Sequence, residues 1–198
     1  MMAKAHIAVG MAAAFTIMRP GSIPEALPVV TGAAIGCLIC DLDCENPRER
    51  TESSHYRIAM AVLAAAALIE DHLIGSGIWK SAGRYGQYVW FAGFAAFVLI
   101  CAFASISKHR GFAHSFLALA LEAASLWLVF PVTAKPFVIA FLSHQVLDLL
   151  NKKPIRLFYP AEKGFRLGLF YADRFANKAF AAVGTVWLIA VILISAGA

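Results

Sequence analysis

Seven stretches of this 198-residue chain are apolar enough to be drawn as membrane helices, at about 5–18, 25–41, 57–74, 86–106, 112–131, 135–150 and 178–197. Charged connections and connections bearing glycine or proline separate them. Backbone in hydrocarbon must satisfy its N–H and C=O groups internally, so the pattern predicts an all-α fold: a polytopic membrane bundle of about six to seven helices. The first, second and sixth stretches are short, and tilted or half-sunk helices fit them as well as full crossings. With 61% apolar and 15% charged residues and a mean hydropathy of +0.72, the chain falls outside the soluble class. Residues 1–198 are expected to form a single membrane-embedded domain. Lys4 and the apolar run after it resemble a signal peptide, but Arg19-Pro20 stands where a small-residue cleavage site belongs, which predicts a retained first helix.

Charge predicts the orientation. If all seven segments cross, one face holds Lys4, Arg48, Arg50, Arg57, Lys108, Arg110 and the seven basic residues of the stretch 151–178. The opposite face holds only Arg19, Lys80, Arg84 and Lys135. The positive-inside rule then places the N-terminus in the cytoplasm and the C-terminus outside the inner (plasma) membrane. The basic segment, about 151–177, interleaves its charges with Leu157, Phe158, Tyr159, Phe165, Leu169, Phe170 and Tyr171. Beside membrane helices that mixture suits anionic lipid headgroups, and nucleic acid is not expected as a partner. The terminal helix, 178–197, follows it. The four Cys (37, 40, 44 and 101) lack the spacing of a disulfide framework, and Cys37 and Cys40 lack the second pair that a metal knuckle needs.

Ionisable groups in membrane helices are costly, so their placement is informative. His6 starts the first helix, Asp41 and Asp43 end the second, His109 and His114 bracket the turn from fourth to fifth, and His144 and Asp148 lie late in the sixth. All seven fall on the predicted cytoplasmic side. The four-residue spacing of His144 and Asp148 stacks them on one helix face, within reach of one ion. Asp41 and Asp43 share a side if the chain turns extended there. Gly111 permits a tight turn that brings His109 and His114 together, with Arg110 beside them as an anion-holding group. Taken singly, each is as well explained by helix packing or by a solvated helix end. Together, imidazoles and carboxylates without a thiolate quartet suit zinc, with manganese or iron as alternatives, and seven ligands suffice for two ions. Glu70-Asp71-His72 are expected to form a solvated cap, and Glu122, inside the fifth helix, needs a partner that the sequence does not name. His55 is a reserve ligand. Trp79, Tyr85, Tyr88 and Trp90 suggest an interfacial belt.

In order, a His near the start, Asp-x-Asp after the second apolar run, His-Arg-Gly-x-x-His-Ser, Ser-His-x-x-x-Asp and Arg-Leu-Phe-Tyr-Pro resemble the YdjM-type family, described as LexA-regulated inner-membrane metal-dependent hydrolases. The match spans roughly residues 4–170. It implies a helical membrane domain with a metal site and a distant likeness to zinc-dependent phospholipase C and to single-strand nucleases of that fold. Carried over, His6, Asp41, Asp43, His109, His114, His144 and Asp148 would be the metal ligands. Two positions depart from the pattern: Cys44 follows Asp-x-Asp where a His is common, and Asn151-Lys152-Lys153-Pro154 replaces Thr-Pro-x-Gly.

The expected function is hydrolysis of a phosphoester in a lipid or lipid-linked substrate by metal-activated water. Asp41 or Asp43 would accept the proton, and Arg110 would stabilise developing charge. A metal-ion or proton transporter is the alternative from another class, although the polar groups crowd one face and no paired broken helices mark a midplane site. A non-catalytic membrane stress protein with a structural metal is the third.

Overall fold

The computed structural model describes residues 3–43, 47–75, 77–171 and 174–196. All seven apolar segments are helices: α1 (Ala3–Met18), α2 (Ile23–Leu38), α3 (Pro47–Ile74), α5 (Gln87–Ile106), α6 (Phe116–Val129), α7 (Pro131–Leu150) and α8 (Arg174–Ala196). A single turn, α4 (Ile78–Ser81), links α3 to α5, and 3-10 turns occupy Ile39–Asp43 and Phe112–His114. No strand is formed among the described residues; Asn151 with Phe170 and Ile155 with Phe165 make isolated bridges. The all-α membrane fold expected from the pattern is therefore present.

Local chemistry sets the boundaries. Ser22 caps α2 by accepting from Glu25 N, and the Glu25 carboxylate accepts in turn from Gly21 N, a reciprocal cap that satisfies two donors at the helix start. Ser115 Oγ accepts from Ala118 N at the start of α6 and donates to the Phe112 carbonyl, which ties the cap to the turn before it.

The centre of the bundle is α2 against α7, with α1 on both, α3 beside α2, and α6 joining α5 to α7. Gly32 and Gly36 allow the α2–α7 approach: a Cβ on Gly32 would lie 2.2 Å from the Thr133 carbonyl oxygen, and one on Gly36 2.4 Å from that of Phe137. Three helical spans, Ile23–Asp43, Gln87–Ile106 and Phe175–Ser195, are long and apolar enough to cross a membrane. The first is 61% buried within the protein, whereas the other two are 11% and 6% buried, so the protein leaves the apolar sides of α5 and α8 uncovered. α1 and α6 are apolar but shorter.

Asp71 departs from the solvated cap expected of it. It is buried, and its two carboxylate oxygens accept from Ile78 N (3.0 Å) and Trp79 N (2.9 Å), holding the first turn of α4. Asp71→Ala is expected to lower stability by about 1 kcal/mol, the typical loss of a cap, with metal content unchanged; denaturation and metal analysis of one sample check both.

Candidate metal centre

Four ends of the bundle converge on one buried cluster: the start of α1, the end of α2, the α5–α6 turn and the end of α7. His6, His114 and His144 are wholly buried there, with Asp41, Asp43 and Asp148 almost so. The four-residue spacing on α7 places His144 Nε2 3.9 Å from Asp148 Oδ2. His6 lies flat on His144, with ring centroids 3.6 Å apart and planes 9° from parallel.

Asp148 is the hub. Its Oδ1 lies 3.6 Å from His6 Nε2 and 3.4 Å from an Arg110 terminal nitrogen, and its Oδ2 lies 3.2 Å from His114 Nε2. Asp41 reaches His144 Nε2 at 3.7 Å. On the other side of His114, Asp43 Oδ2 lies 3.4 Å from Nδ1 and accepts the Arg110 backbone N–H, while its Oδ1 meets His109 Nδ1 at 2.8 Å. Asp41 and Asp43 do not share a side, because the chain forms a 3-10 turn there instead of the extended stretch that would have aligned them: Asp41 addresses His144, and Asp43 addresses the two histidines of the next turn.

The turn itself is built differently from the sequence expectation. Its left-handed residue is Arg110 (φ 62°), not Gly111. Gly111 is needed for space, because a Cβ there would stand 2.6 Å from the Lys108 carbonyl oxygen. The result is still the expected meeting of imidazoles: the rings of His109 and His114 are 5.8 Å apart, edge to face.

Two overlapping groups have ligand atoms within 4.8 Å of one another, His6/His144/Asp148 and Asp41/His114/His144. Both nitrogens of His6, both of His114 and Nε2 of His144 are buried without a hydrogen bond of good geometry. Buried polar atoms are rarely left so, and a cluster of bare imidazole edges facing carboxylates fits a divalent cation. His144 Nδ1 donates to the Cys37 carbonyl at 2.7 Å, which fixes Nε2 as the free, cation-facing nitrogen. Of the seven sequence candidates, five belong to these two groups. Asp43 and His109 stand behind His114. Cys44 lies outside the described residues, and His55 is exposed on α3.

Electrostatics at His114 follow from its neighbours. Burial disfavours its charged form, but the carboxylates of Asp148 and Asp43 outweigh that and push its pKa up to about 9.

The sequence did not point to the supports. Cys37 and Lys153 act through backbone carbonyls, the latter accepting from an Arg110 terminal nitrogen at 2.8 Å, and no side chain announces such a role. Gln145 holds the His114 carbonyl through Nε2 at 2.9 Å; its position next to His144 was the available signal.

Fold and site together define an integral membrane protein of the all-helical kind, with a buried His/Asp cluster able to hold metal. A family model described as YdjM inner membrane protein matches residues 1–198, and the chain belongs to that family. No curated protein and no solved structure matches it.

Proposed function

We propose that this protein is a membrane-embedded metal-dependent hydrolase of a phosphoester in a lipid or lipid-linked substrate, with the site and N-terminus on the cytoplasmic side. The observation that carries the reading is the set of three wholly buried imidazoles, His6, His114 and His144, gathered around the carboxylate of Asp148. His6, His114, His144, Asp41 and Asp148 are the ligands, and Asp43, which also engages His109, orients His114 from behind. Zinc is the first choice for nitrogen and oxygen donors, with manganese or iron as alternatives.

His144 offers a single free nitrogen, and Asp148 turns one oxygen towards His6 and the other towards His114; with Asp41 these residues would supply enough donors for two ions.

Ions bound there would polarise the phosphoryl group and bring the pKa of a water towards neutrality. Asp41 would take the proton of an attacking water as the water's oxygen bonds to phosphorus; the bond from phosphorus to the leaving alcohol's oxygen would break, and the proton would pass to that oxygen. Arg110, pinned by Lys153 O and Asp148, offsets the negative charge that develops.

Turnover of a panel of phospholipids and lipid phosphates by zinc-loaded protein in detergent tests this. Arg110→Gln is expected to lower kcat by roughly 100-fold with metal content intact. Zinc-loaded wild type that hydrolyses no member of the panel would rule the reading out.

A pH effect follows from His114. A folded-state pKa near 9, above the ordinary value of about 6.5, means that the charged ring stabilises the metal-free protein fully below 6.5 and that this contribution is lost as pH rises through 9. Metal needs the neutral ring, so uptake in this window expels a proton, and affinity rises with pH. The increase in Tm on adding zinc is therefore expected to be larger at pH 8.5 than at pH 6.5; equal increases would contradict it.

A further inference from the structure

Beyond Asp148 the chain does not leave the site. Asn151 ends α7, and the basic segment folds back onto that helix end: Lys152 N donates to Phe170 O, Leu167 N to Leu149 O, and Leu169 N to Leu150 O. The return leaves an open surface cavity of about 460 Å³, lined by Lys152, Lys153, Arg166, Leu167, Gly168 and Tyr171, most of them exposed. Three of the six lining residues are cations. Among the described residues, none of the three makes an ion pair with a carboxylate.

Two of the three cations have a contact that orients them. Arg166 donates to the Lys152 carbonyl at 2.8 Å, and Lys152 Nζ sits 4.2 Å above the Tyr171 ring. Partial negative charge at the carboxyl end of α7 helps to concentrate cations there. Arg110 links the backbone beside this cavity to the metal centre, since it bonds the Lys153 carbonyl with one terminal nitrogen and faces Asp148 with the other. Leu167, Leu169 and Tyr171 are each about two-thirds exposed, and the span Phe175–Ser195 of α8 begins four residues later. A cationic cavity rimmed by exposed apolar side chains, at the point where an uncovered apolar helix starts, has the chemistry of a headgroup site.

We infer that this cavity is a second anion subsite of the same active centre, so that the substrate is a lipid whose headgroup carries two negative groups, as in a lipid diphosphate. This rests on the hydrolase reading for the first phosphate, held at the metal centre. The second phosphate is held by Lys152, Lys153 and Arg166, and the acyl or prenyl chain leaves past Leu167, Leu169 and Tyr171.

Equilibrium binding in detergent tests the subsite without requiring turnover. The probes are a short-chain prenyl diphosphate, the matching monophosphate, a zwitterionic phosphatidylcholine and inorganic pyrophosphate. The zinc-loaded wild type is expected to bind the prenyl diphosphate at least 10-fold more tightly than the monophosphate or the phosphatidylcholine. The triple variant Lys152→Gln/Lys153→Gln/Arg166→Gln should lose that preference, whereas Arg166→Lys, which keeps the charge, should retain most of it. His144→Ala, lacking the metal centre, should still prefer diphosphate over phosphatidylcholine through the cavity alone. Equal binding of mono- and diphosphate, or a preference untouched in the triple variant, would overturn the subsite. Pyrophosphate binding as tight as that of the lipid would overturn the lipid assignment. Diphosphate preference without hydrolysis would leave the subsite standing and remove the hydrolase reading instead.

Discussion

Asparagine in place of Asp148 is expected to lower metal affinity by more than 100-fold and to bring phosphoester hydrolysis to background. The two oxygens of Asp148 face His6, His114, His144 and Arg110, so one substitution withdraws charge from the whole cluster. No other carboxylate takes its place: Asp41 already faces His144 Nε2, and Asp43 is occupied by His109, His114 and the Arg110 backbone. Leaving the Arg110 guanidinium without its anion adds a structural penalty, partly relieved by the Lys153 carbonyl. Metal content after dialysis and the melting temperature of the metal-free protein separate the two effects. An Asp148→Asn protein that kept its metal would remove Asp148 from the ligand set.

Valine at Gly32 is expected to do comparable damage without touching a polar group. A Cβ at that position would stand 2.2 Å from the Thr133 carbonyl oxygen, 2.8 Å from Pro136 Cγ and 3.0 Å from Phe137 N, two of them backbone atoms that cannot swing aside. α2 and α7 must move apart, and those two helices carry His144 and Asp148 and lead directly into Asp41 and Asp43. Overpacking of this kind costs about 3 kcal/mol or more, and a chain of this size should then melt roughly 10 °C lower. Gly21→Ala is the control, since a Cβ there meets only Glu25 Oε2, at an ordinary 3.7 Å. Thermal melts of the three purified proteins decide the matter, and a Gly32→Val protein as stable as wild type would mean that the helices are not this close.

Helices and ligand candidates were legible in the sequence because membrane burial leaves so few options. Apolar runs marked every long helix, and the spacing of His144 and Asp148 set their shared face in advance. What sequence could not show was backbone detail. The 3-10 turn that aims Asp41 and Asp43 at different histidines depends on how α2 ends against its neighbours, and the left-handed residue in the next turn is Arg110, although Gly111 was the natural choice. Asp71 looked like a solvated helix end because its partners are backbone N–H groups seven and eight residues away, which carry no compositional mark. The return of the basic segment onto α7 was equally hidden, since backbone bonds from Lys152, Leu167 and Leu169 guide it. Glu122 remains buried in α6 with an unpartnered oxygen, as its sequence context implied, and nothing around it explains its retention.

X-ray absorption at the zinc edge of the loaded protein in detergent measures the first coordination sphere directly. The account predicts nitrogen and oxygen scatterers alone at about 2.0–2.2 Å, with outer-shell features of two or more imidazoles that weaken in His6→Ala and in His114→Ala. A sulfur shell near 2.3 Å, or a spectrum without imidazole that neither substitution alters, would place the metal elsewhere in the molecule and contradict it.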